Sequence, residues 1–126
     1  MKSKKIKALM IEPNKPPCIT ELCNDLDSLQ KAVSIGASEQ GLIELVYLED
    51  NVSILCNEEG KLIGLEPNRR LGNDILCGVF YVVAENNNGE LMSLTQEQQD
   101  RYSKMFWNPD VIGNDEVNGT IFARFI

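Results

Sequence analysis

Apolar positions alternate with polar ones at a period of two through most of the chain and fall at helical spacing in two segments. Lys5 to Glu12 carries apolar residues on both parities, Ile6 and Ala8 on one and Leu9 and Ile11 on the other, which predicts a strand buried on much of both faces. Pro13, Pro16 and Pro17 cannot continue a ladder. Cys18 to Leu22 then makes a short strand and a first hairpin with Lys5 to Glu12. Asn24 is suited to cap a helix over Asp25 to Ser34, in which Leu26, Leu29, Ala32 and Val33 form one apolar stripe and Gly36 ends the run. Leu42 to Leu48 alternates as a strand, closed by the polar turn Glu49, Asp50 and Asn51.

The stretch Val52 to Val83 holds the strongest β signals. Val52, Ile54 and Cys56 alternate with Ser53, Leu55 and Asn57, and the tetrapeptide Glu58-Glu59-Gly60-Lys61 predicts a hairpin turn whose return strand begins at Leu62-Ile63. From Gly64 to Asn73 the period is lost, and Asn68, Arg69 and Arg70 read as turn and surface residues beside Pro67. Ile75 to Ala84 is the most β-prone run and predicts the central strand.

Asn86-Asn87-Asn88-Gly89 predicts a tight turn to a strand over Glu90 to Leu94. Thr95 and Gln98 have the spacing of a capping box before a helix from Gln96 to about Phe106, with Tyr102, Met105 and Phe106 on its buried side. Asn108-Pro109 stops that helix, and Thr120 to Ile126 reads as a terminal strand. The fold class is therefore α+β, expected as one domain: a mixed, mainly antiparallel sheet of about six to eight short strands, with two helices covering one face.

Composition narrows the function classes. The chain has 19 acidic and 12 basic residues and a net charge of −7, which opposes attraction to phosphate backbones and anionic lipid. No direct nucleic-acid contact is expected. No stretch approaches the roughly 20 apolar residues of a membrane span, so a cytoplasmic location with no membrane contact is expected. Thiols stay reduced there, so Cys18, Cys23, Cys56 and Cys77 are expected to be free, and they lack the paired short spacings of a zinc site. The absence of histidine removes Ser-His-Asp and Cys-His catalysis and histidine metal sites together. No phosphate-binding glycine loop occurs, and no cofactor or metal is implied.

The polar residues of the central stretch are the candidate ligand-binding group: Asn57, Glu58, Lys61, Asn68, Arg69 and Arg70. In a functional reading an arginine forks onto a phosphate or carboxylate while the asparagines orient the ligand. In the structural alternative, which turn chemistry favours, Asn68 bonds its own backbone and the arginines pair with neighbouring carboxylates. No pair of carboxylates is brought beside a nucleophile, so no catalytic residue is named. The acidic balance could mimic the phosphates of DNA, although a solvated surface explains scattered charges equally well.

The run Ile54 to Leu71, followed by Asp74-Ile75 and Gly78-Val79-Phe80, resembles the pattern of an uncharacterised bacterial and phage family, domain of unknown function 3846. The segments KALMIEPNKPP, SLQKAV and SLTQEQQDRYSKMF resemble it too, while Glu66 stands where a small or apolar residue is expected. The resemblance implies an origin in phages, conjugative elements or other mobile DNA of Gram-positive bacteria, and no catalytic residues. The expected function is a non-enzymatic binding or accessory protein acting through contacts with an unidentified protein partner. The alternatives are capture of a small anionic ligand such as a nucleotide at Asn68, Arg69 and Arg70, and acidic mimicry of DNA.

Overall fold

A computed structural model of the protein describes residues 4–113 and 115–118. The strands are β1 (Lys5–Ile11), β2 (Cys18–Cys23), β3 (Ile43–Glu49), β4 (Val52–Asn57), β5 (Pro67–Leu71), β6 (Asp74–Cys77), β7 (Phe80–Glu85) and β8 (Leu91–Met92); the helices are α1 (Leu26–Ala32) and α2 (Gln96–Met105), with a helical turn over 115–118. The main sheet has the order β2-β1-β7-β4-β3, with β8 alongside the end of β7, while β5 and β6 form a separate two-stranded sheet. The fold is α+β, and every strand pairing among the described residues is antiparallel. The predicted strand over Thr120 to Ile126 lies outside the described residues.

The two helices cover opposite faces of the sheet, not one. On one face α2 brings Tyr102 and Phe106 against Leu9, Ile11, Ile54, Phe80 and Val82, with the Phe80 and Phe106 rings edge to face at 5.4 Å. On the other α1 brings Leu29 and Val33 against Ile6, Ala8, Leu55, Tyr81 and Val83. Apolar residues on both parities of β1, β4 and β7 require this arrangement, because each fully buried aliphatic or aromatic side chain contributes about 2 kcal/mol only if both faces are dry. The capping box of α2 forms as its spacing predicts. At α1 the cap is Asp25, whose carboxylate accepts the Ser28 N–H at 2.8 Å, while Asn24 reaches across to the Leu91 carbonyl. Leu26 and Met105, assigned by spacing to buried stripes, are more than half and half exposed.

The centre of the chain departs most from its local pattern. Residues 58–64 form a helical turn, with Ile63 N–H donating to the Glu59 carbonyl, in place of the predicted hairpin. Leu62 and Ile63 therefore face outward and pair with no strand. A Cβ at Gly60 would lie 2.7 Å from the Cys77 carbonyl oxygen, so only glycine lets this turn approach β6. The run Ile75 to Ala84 is two strands. At Gly78 (φ +83°), where a Cβ would strike Leu65 at 2.7 Å, the chain leaves β6 and enters the main sheet as β7. As expected for the second part of that run, β7 is central.

Candidate functional site

The six predicted residues separate into two places. Pro67 supplies no backbone donor, and the register of β5 against β6 shifts between Pro67 and Arg69. This bulge turns consecutive residues inward: Asn68 is 0 % and Arg69 1 % exposed, contrary to their reading as surface turn residues. Asn68 Nδ2 donates to the carbonyls of Ile11 and Gly78, both at 2.8 Å, and so ties the small sheet to the end of β1.

Arg69 spends its guanidinium entirely inside the protein. Nε and Nη2 donate to the Phe106 carbonyl at 3.1 and 3.0 Å, Nη2 also to Lys15 O at 2.6 Å, and Nη1 to Asn68 O and Oδ1 at 3.3 and 2.7 Å. The Phe106 carbonyl lies at the negative end of α2, where a cation is favoured. Burial pushes the guanidinium below the ordinary arginine range and Asp110 opposes that push.

Arg70 points the other way. Its Nε and Nη2 fork onto Glu116 at 2.7 and 2.9 Å, Nη2 also donates to the Val111 carbonyl, and its backbone N–H donates to Asp110. This pairing raises the arginine and holds the Glu116 carboxyl below its usual range. The arginine thus fastens residues 110–113 and 115–118 over the small sheet, where Val117 packs on Leu65, Ile75 and Cys77.

Asn57, Glu58 and Lys61 come together elsewhere, in a cleft of about 150 Å³ between β3, β4 and β6. Asn57 is buried and committed, donating to the Val33 carbonyl at 3.3 Å and accepting the Glu59 N–H at 2.9 Å. Lys61 is almost fully covered, and its ammonium pairs with Asp74. Glu44, which carried no signal beyond strand parity, joins Glu58 and Asp74 on the lining, so the cleft holds three carboxylates against one ammonium. Among the described residues, neither Glu44 nor Glu58 has a cationic partner. Burial pushes the Cys77 thiol up to about 11, so it is protonated at neutral pH and not a nucleophile there. A wider hollow of about 460 Å³ beside Glu12, Lys15 and Glu66 has its polar rim internally paired, Lys15 with Glu12 and Asn14 with Glu66.

The cleft opens beside β3, an edge of the main sheet. The Leu42 carbonyl accepts the Glu58 N–H, so Glu44 and Val46 turn their backbones towards β4 and Ile43, Leu45 and Tyr47 turn theirs outward. The side chains of Leu45 and Tyr47 are 42 % and 70 % exposed. The sequence signal for an edge was available in the two glutamates of IELVYLE, but the strand's alternation identifies no neighbours.

Among the described residues no group of three or more Cys, Asp or Glu side chains is arranged to hold a metal ion, and no helix is long and apolar enough to cross a membrane. Residues 6–107 match the family model described as domain of unknown function (DUF3846). No curated protein and no solved structure matches the chain.

Proposed function

The chain belongs to the domain of unknown function 3846 family, and on that premise we propose that it is a small, non-enzymatic binding or accessory protein that engages a partner protein through the open edge of β3. The observation that carries this reading is the outward row of backbone groups at Ile43, Leu45 and Tyr47, which pair with no strand among the described residues and are flanked by the exposed side chains of Leu45 and Tyr47. Such an edge is a template for strand addition, in which main-chain hydrogen bonds supply affinity and alternate side chains supply specificity. A phage or other mobile element is the setting that the resemblance implies.

Anion capture at Asn68, Arg69 and Arg70 has less support. Arg69 has all its donors on carbonyl oxygens of the protein, and Arg70 already holds a carboxylate. A nucleotide would have to displace Glu116 and add charge to an already acidic chain.

Leu45→Pro tests the reading, because it removes an outward N–H that β4 does not use, and an edge strand tolerates proline. Affinity capture from a bacterial host extract at moderate salt should retain one partner on the wild-type chain and lose it on the folded variant. Retention of the same partner by both proteins would sink the edge assignment. A nucleotide that raises the unfolding temperature, with Arg70→Ala abolishing the rise, would favour anion capture instead.

A further inference from the structure

The chemistry of the occupant can be read from what flanks the edge. A strand added to β3 places one residue directly opposite Glu44, in a pair that exchanges no backbone bonds and so has its side chains close together. That side chain lies on the face that Glu44 and Val46 share with the cleft. There, among the described residues, Glu44 and Glu58 have no cation, and Lys61 is already taken by Asp74. Val46, Leu71 and Leu76 line the same cleft and offer an apolar wall. Its volume is about 150 Å³. An aliphatic stem against the wall and a cationic head between the carboxylates fits this shape and charge.

We propose, building on the edge reading above, that the partner segment taken up by β3 is extended and carries a lysine or arginine seated in the Glu44–Glu58 cleft, with apolar residues at alternate positions against Leu45 and Tyr47. A second copy paired through its own β3 does not meet that description. Two β3 strands paired antiparallel about Val46 set Leu48 opposite Glu44, and Glu49 of each copy adds further negative charge without a cation at the cleft.

The test uses a short capped peptide alternating valine and threonine, with lysine, norleucine or glutamate at one threonine-parity position near its centre. Binding is followed by backbone amide shifts of the full chain at low salt. The lysine peptide is expected to shift the amides of residues 43–49 and to bind about tenfold more tightly than the norleucine peptide, the scale of one charge-assisted contact. The glutamate peptide should bind weakest. In the Glu44→Gln, Glu58→Gln double variant, whose spectrum should otherwise be unchanged, lysine and norleucine peptides should converge. Equal affinities on the wild-type chain, with Leu45→Pro abolishing both, would overturn the basic anchor and leave the edge reading standing. A lysine preference that survives the double variant would overturn the cleft assignment. No peptide-induced shifts at β3 would overturn the anchor and the edge reading together.

Discussion

β5 and β3 reverse the usual relation between composition and burial. β5 reads Pro-Asn-Arg-Arg-Leu, yet Asn68 and Arg69 are among the most enclosed side chains described; β3 reads Ile-Glu-Leu-Val-Tyr-Leu-Glu, yet Leu45 and Tyr47 stand in solvent. The difference lies in neighbours. β5 packs between the end of β1, the end of α2 and the loop at Lys15, all of which present free carbonyls, so donors are what the interior needs there. Among the described residues β3 has a neighbour on one side only, and beyond Ile43, which packs on the α1 side of the core, Leu45 and Tyr47 lie exposed. Polar burial here meets an accounting of backbone acceptors, and apolar exposure at β3 is what the proposed interface would cover.

The sharpest way to break this comparison is Arg69→Met, which keeps the volume and removes the donors. It leaves carbonyls at Phe106 and Lys15 and the Asn68 side chain unsatisfied, so a loss on the order of 4 kcal/mol is expected from the denaturant midpoint. A loss within about 0.5 kcal/mol, the scale of a surface substitution, would show that Arg69 does not hold the small sheet in place.

An intermediate, local effect is expected at Arg70 and Glu116. Because the arginine depresses the Glu116 carboxyl below its reference value of 4.5, the stabilisation is fully present above that pH and is lost as pH falls through the depressed value. Methyl signals of Val117 should then lose their contacts with Leu65 and Ile75 in acid while β7 amides stay protected from exchange. Glu116→Gln should produce the same detachment at neutral pH, and an acid-insensitive Val117 would contradict the role given to the pair.

The smallest effect belongs to β3. Tyr47→Thr keeps β propensity and should change stability by no more than about 0.5 kcal/mol, measured by the same midpoint, while weakening partner capture. A large destabilisation would mean that Tyr47 serves the fold and not an interface.

Much of the architecture was legible. A double-parity apolar run identified β1, alternation identified β4, the β-prone run Ile75 to Ala84 contained β7, the Thr95–Gln98 spacing identified the start of α2, and Asp50-Asn51 adopts the positive φ values suited to the predicted turn. The failures share a cause. Gly60 was read as local turn chemistry and Gly78 as part of one continuous strand, but the conformations there answer to Cys77 and Leu65 across space. The candidate group was likewise assembled by proximity in sequence. A one-residue bulge after Pro67 sent Asn68 and Arg69 inward, a helical turn carried Glu58 and Lys61 to another cleft, and Glu44 joined them from a strand that had given no chemical signal.

By itself the sequence determined where β1 to β4 and the two main helices lie, how α2 is capped, that the chain is acidic and that it has no histidine chemistry, because these follow from periodicity and composition within a few residues. Tertiary structure alone decided that the helices lie on opposite faces, that Asn68 and Arg69 are interior donors, and that β3 is an edge beside an uncompensated acidic cleft. Those outcomes depend on which backbone groups and charges from distant segments meet, and no local pattern encodes that pairing.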